Sequence, residues 1–146
     1  MMKCEEIMKR TVHVVRDRDD ALLAARLMRE QDLGFLPVCD EAGRVVGVVT
    51  DRDLARRVCA EDARASATPV RDIMSVGVVA CRPAHTVAHA ERQMRRHKVT
   101  RIVIKDDEDR LLGVLSLSDV AQYVRDAQTG STLRVISERK YQPERP

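Results

Sequence analysis

Two short stretches carry the residue types best suited to chemistry. Gly47-Val48-Val49-Thr50-Asp51-Arg52-Asp53-Leu54 and Gly113-Val114-Leu115-Ser116-Leu117-Ser118-Asp119-Val120 each end an apolar run with a hydroxyl residue, and an aspartate follows three positions later. The pattern has two uses. As a capping box, it satisfies the unpaired amides of a helix start. As a ligand site, those amides attract an anion, the hydroxyl reaches a phosphate oxygen, and the carboxylate suits a ribose diol. Both stretches keep the hydroxyl and the aspartate while the residues between them diverge, and the spacing alone serves cap and ligand equally.

Other candidates are weaker. His85 and His89 are four apart, a spacing that can bring two imidazoles to one metal. Only Cys81 stands near enough in sequence to join them, so partly buried or capping histidines are expected, and no metal site. The four cysteines, Cys4, Cys39, Cys59 and Cys81, form no C-x-x-C pair. They read as small buried hydrophobes, with nothing to single out one for a redox role. No Ser-His or Cys-His grouping supplies a nucleophile with its base. An enzyme is not expected.

The elements that must position these residues come from a chain of 146 residues, enough for one compact domain built of two small halves. Lys and Arg number 26 against 23 Asp and Glu, a scattered excess rather than a basic face. Phe35, Tyr123 and Tyr141 are the only aromatic rings. A stacking platform for single-stranded nucleic acid is therefore disfavoured. No apolar run approaches the ~20 residues of a membrane helix, and the N-terminus lacks the apolar core of a signal peptide. Cytoplasmic residence is expected, with neither nucleic acid nor membrane as partner.

Shifting the sequence by 66 residues superimposes it on itself without gaps. Ile7-Met8 falls on Ile73-Met74, Ala24, Arg26 and Met28 on Ala90, Arg92 and Met94, Gly47-Val48 on Gly113-Val114, and Asp53 on Asp119. The chain is a tandem duplication. Each copy reads as strand, helix, strand, strand, helix. Strands are expected at Val12–Val15, Phe35–Cys39 and Val45–Val49, and at Val78–Cys81, Arg101–Lys105 and Leu111–Leu115. Asp20 and Thr86 are the expected N-caps of the first helices. The second helices start near Thr50 and Ser116 and run to about Ala60 and Asp126. The strands are nearly all apolar, which implies sheets covered on both faces. One copy alone could bury little core. The expected fold is α/β (α+β): two β-α-β-β-α repeats, residues 1–60 and 70–126, joined by a polar linker, 61–69, and followed by a tail, 127–146, partly disordered or docked.

The ordered set Ile7-Met8, Leu36-Pro37-Val38, the glycine-led hairpin strands and Thr50-x-x-Asp53, matched by Ile73-Met74 and Ser116-x-x-Asp119, resembles a tandem cystathionine-β-synthase (CBS) domain pair, also called a Bateman module. The likeness covers residues 3 to 126. It implies a stand-alone regulatory pair packed sheet to sheet with pseudo-two-fold symmetry, forming a homodimer and acting on a client protein. It also implies clefts for AMP, ADP or ATP, less readily S-adenosylmethionine or NAD, with no cofactor required. Carried onto this chain, one cleft would use Thr50 and Asp53 with Val79, Ala80, Thr100 and Arg101. The other would use Ser116 and Asp119 with Thr11, His13, Gly34 and Phe35. Aspartate would read ribose, hydroxyl would touch phosphate, and strand backbone would contact adenine.

His97, Lys98, Arg101 and Arg52 would make the Asp53 cleft the tighter one, unless Arg92, Arg95, Arg96 and Lys98 simply solvate a helix face. Phe35 would partly fill the other cleft, and Arg101-Ile102-Val103-Ile104 lacks the counterpart of Pro37. Aspartates folded back on their own amides, with no hollow between the halves, would leave only a dimerisation scaffold.

Overall fold

The computed structural model describes residues 1–123 and Ile136. Apart from Ile136, the expected tail and the last residues of the helix expected to reach Asp126 lie outside the described residues. In chain order the elements are α1 (Cys4–Ile7), β1 (Val15–Arg16), α2 (Ala21–Gln31), β2 (Phe35–Cys39), β3 (Val45–Thr50), α3 (Asp51–Leu54), α4 (Val70–Ile73), β4 (Ala80–Cys81), α5 (Val87–His97), β5 (Arg101–Lys105), β6 (Leu111–Ser116) and α6 (Leu117–Tyr123). A π-helical turn, Ala55–Cys59, continues α3, and a 3-10 turn, Ala65–Ala67, precedes α4.

The fold is mixed α and β, with two three-stranded sheets ordered β1-β2-β3 and β4-β5-β6. The first strand of each sheet runs parallel to the second: Val15 pairs with Val38, and Ala80 with Val103. β2 and β3 form an antiparallel hairpin, from Phe35 opposite Thr50 to Cys39 opposite Val45, with a register shift after Val38.

Two compact units result. One holds residues 11–78 and the hairpin tip 105–111; the other holds 1–10, 79–104 and the described residues from Leu112 on. These units cut across the sequence copies. Each takes its sheet from one copy and a short N-terminal segment from the other.

In the first unit, Ala21, Ala24 and Met28 bury one face of α2, in a core with Val15, Leu36, Val38, Val49, Val58, Val70 and Ile73. Asp20 caps α2 by accepting from Leu23 N at 2.8 Å. The expected linker is pinned here, since Ala21 N donates to Thr68 O and Val70 N to Asp19 O. The second unit repeats the plan. Val87, Ala90 and Met94 line the buried face of α5, Thr86 caps it through His89 N at 3.1 Å, and Cys4, Ile7, Ile102, Ile104 and Leu115 join the core.

Three expectations change. The first strands are shorter and later than Val12–Val15 and Val78–Cys81, because at the sheet edge only Val15–Arg16 and Ala80–Cys81 find a parallel partner. The helices α1 and α4, 66 positions apart, were not anticipated; at four residues each, they are too short to show a helical period. Burial on both faces holds for β2 from Leu36 on, whereas β3 alternates between buried and half-buried positions.

Candidate functional site

Thr50 leaves β3 extended, at φ −118° and ψ 164°, and caps α3. Its hydroxyl accepts from Asp53 N at 3.2 Å, while Thr50 N donates to Asp53 Oδ2 at 2.9 Å. The second copy repeats this, with Asp119 N donating to Ser116 Oγ at 3.1 Å and Ser116 N to Asp119 Oδ2 at 3.0 Å. Both aspartates therefore fold back on their own caps, the first half of the condition that would leave only a scaffold.

The cap engages one carboxylate oxygen in each case. Asp53 Oδ1 accepts from Ser75 Oγ at 3.5 Å, the long limit of a hydrogen bond, and lies 3.9 Å from Arg57 Nε. Asp119 Oδ1 lies 3.5 Å from Lys9 Nζ. Asp119 is buried, at 7% exposure, whereas the Lys9 side chain is 71% exposed, so solvent screens the pair.

Ser75, Lys9 and Arg57 are functional neighbours that sequence reasoning missed. Ser75 and Lys9 occupy equivalent positions, each just after an Ile-Met pair. Ser75 exchanges backbone hydrogen bonds with Val48, and Lys9 with Val114. The repeat could have pointed to this position, but serine and lysine hide the equivalence. Arg57 is held over Asp53 by donating to the carbonyls of Ile73 and Met74, both at 3.0 Å.

The other expected site residues divide by unit. Gly34 and Phe35 adjoin Thr50: Phe35 is its strand partner, and Asp51 N donates to Gly34 O at 3.1 Å. A Cβ at Gly34 would stand 3.0 Å from Asp51 Oδ2, so the glycine admits that carboxylate. Thr11 and His13 are exposed and precede β1. In the other unit, Thr100 O accepts from Leu117 N at 2.8 Å, and Val79 O from Val103 N at 3.2 Å. Ala80 lies in β4, and Arg101 opens β5 exposed. His97, Lys98 and Arg52 are exposed as well.

At the start of α5, the structure brings Cys81 together with the histidine pair. One ligand atom from each of Cys81, His85 and His89 lies within 4.8 Å of the others. His85 does cap its turn, accepting from Arg82 N at Nδ1 (3.1 Å). The thiol of Cys81 is pulled down to about 6, first by its hydrogen bond with Cys4 and then, against burial, by His85. The same bond, with burial, pushes the Cys4 thiol up. Burial, then His85 and Arg92, lower His89.

No helix among the described residues is long and apolar enough to cross a membrane. The chain is 32% identical to the CBS domain-containing protein YhcV of Bacillus subtilis, over 94% of this chain and 96% of that one. Other relatives are longer, and the chain spans as little as 23% of them. Two solved structures share the fold. The CBS domain pair of protein MJ0100, in complex with 5′-methylthioadenosine and S-adenosylmethionine, has a TM-score of 0.75 and 20% identity, covering 84% of this chain and 94% of that one. CBSX2 in complex with AMP has a TM-score of 0.72 and 24% identity, covering 84% of this chain and 95% of that one. The CBS domain family model matches residues 4–60 and again 70–126. The two helix mouths, each with its hydroxyl and aspartate, lie inside those two matches, and the chain belongs to the CBS domain family as two CBS domains in tandem.

Proposed function

We propose that the chain is a non-catalytic regulatory module that binds an adenine nucleotide, AMP, ADP or ATP, at its helix mouths. The observation that carries this reading is the half-used carboxylate. Asp53 Oδ2 is taken by the cap, but among the described residues Oδ1 has only contacts of 3.5 and 3.9 Å, leaving an acceptor for a ribose diol beside a hydroxyl and a helix start. Capping and ligand binding then coexist on one side chain. Support also comes from the fold neighbours that hold AMP, S-adenosylmethionine and methylthioadenosine.

Thr50 and Asp53 form the tighter site, because Asp119 Oδ1 already faces the Lys9 ammonium. Val79, Ala80, Thr100 and Arg101, and likewise Thr11, His13, Gly34 and Phe35, add the contacts that membership of the family leads one to expect. A homodimer acting on a client protein completes the reading.

Calorimetry with AMP, ADP, ATP, S-adenosylmethionine and NAD tests it. At least one gives a saturable isotherm, weakened about tenfold or more by Asp53→Asn, which keeps an acceptor for the cap but removes the charge. The second reading, a ligand-free dimerisation scaffold, is favoured by the capping boxes themselves. A folded protein that gives no heat with any of the five establishes the scaffold instead.

A further inference from the structure

We propose that Cys81, His85 and His89, completed by Cys4, form a zinc-binding site at the start of α5. Cys81 ends β4, His85 lies in the connecting turn, and His89 occupies the first turn of α5, so strand, turn and helix converge on one point. The two imidazole rings have centroids 4.5 Å apart. One nitrogen of each ring and the Cys81 sulfur lie within 4.8 Å of one another. Around a tetrahedral zinc, with bonds of about 2.0–2.3 Å, ligand atoms stand ~3.3–3.8 Å apart. The cluster therefore has to contract by only about an ångström. Cys4, on α1, is tied to the same turn: its amide donates to His85 O at 2.9 Å and its thiol to Thr86 O at 3.7 Å, within the core it shares with Cys81.

The donor chemistry selects the ion. Two sulfurs and two imidazoles suit zinc and disfavour magnesium or calcium, which take oxygen. Charge argues for Cys4 as the fourth ligand. A bare cation at a helix N-terminus opposes the macrodipole, whereas a zinc ion with two thiolates and two neutral imidazoles carries no net charge. Cys4 and Cys81 are 0% and 2% exposed, so a neutral complex is the one this interior accommodates. The half-buried histidines leave a path for the ion from solvent.

Binding takes both sulfurs as thiolates, and any thiol proton still held goes to solvent. It also exchanges the hydrogen bond from Arg82 N to His85 Nδ1: coordination through Nδ1 takes that lone pair, and coordination through Nε2 moves the ring proton onto Nδ1. A loaded site fastens α1 to the β4–α5 turn.

The test uses the full tag-free chain, stripped with a chelator and kept reduced, titrated with cobalt(II) and then zinc. One cobalt per chain is expected, with the intense absorption of a tetrahedral thiolate centre, displaced by one equivalent of zinc. That absorption disappears in Cys81→Ser and His89→Gln and weakens in Cys4→Ser, and zinc raises the melting temperature of the wild type only. A pale octahedral cobalt spectrum, or intense bands that persist in Cys81→Ser, would overturn the site. Bands unaltered in Cys4→Ser remove Cys4 as a ligand. If Cys81→Ser does not fold, the half-buried His89→Gln decides alone.

Discussion

Asp40 organises the turn between β2 and β3 with both carboxylate oxygens. Oδ1 accepts from Ala42 N and Arg44 N, each at 2.9 Å, and Oδ2 accepts from Arg44 Nε at 2.9 Å. These donors, the Arg44 amide first, hold its carboxyl below the usual carboxylate range. A depressed value means that the folded state favours the ionised form. The contribution is complete above the ordinary carboxylate value of about 4, and it is lost as pH falls through the lowered one. Asp40→Asn keeps an acceptor for the amides and loses the charge. Urea denaturation should therefore show the variant less stable at neutral pH, with the gap to wild type closing below about pH 4. A gap independent of pH would mean that the charge contributes nothing. At this scale the sequence is legible in part. The three-residue step from Thr50 to Asp53 already places the side chains in one turn, so the reciprocal cap could be read from spacing. Lys9 and Ser75 could not, because chain folding and not local spacing brings them to the carboxylates.

The hairpins explain a pattern repeated in both copies, a glycine in β3 and β6 matched to an Ile-Met pair. A Cβ at Gly47 would stand 2.6 Å from Met74 Sδ, with Ser75 O at 3.0 Å; at Gly113 it would stand 2.7 Å from Lys9 O and 2.9 Å from Met8 Sδ. Each glycine thus lets a methionine and a backbone strand lie flat on the sheet. The nearest obstacle differs: a flexible thioether at Gly47, a hydrogen-bonded backbone carbonyl at Gly113. Gly113→Ala should destabilise by roughly 1–3 kcal/mol, and Gly47→Ala by less. Chemical denaturation of both variants checks the order, and equal losses would refute the assignment of the obstacles. The longer elements were legible because their signals are local. Asp20 and Thr86 cap where expected, and buried residues recur at helical spacing through α2 and α5. The edge strands β1 and β4 were misplaced because β-branched residues such as Val12 and Val14 favour strand without supplying a partner.

At the scale of the whole chain, duplication reveals two copies but not how the copies share segments. Val70 and Ile73, from the start of the second copy, are 0% and 2% exposed in the core built on Leu36, Val38 and Val49 of the first. Every residue of that buried core falls between Val15 and Ile73. Burying two such side chains contributes about 1.5–3 kcal/mol each, comparable to the roughly 5 kcal/mol that holds a small domain together. The sequence copy, residues 1–60, lacks both side chains and carries Cys4 and Ile7, which pack in the other core. The spatial unit, residues 11–78, keeps its core whole and loses only the 105–111 tip, where Asp109 O accepts from Val45 N at 2.8 Å. Fragment 11–78 should therefore unfold cooperatively and protect the amides of β2 and β3 from hydrogen exchange. Fragment 1–60 should exchange like an unfolded chain. If 1–60 is the better protected of the two, the packing of α4 against the first sheet contributes less than its burial implies, and the sequence copy is the folding unit after all.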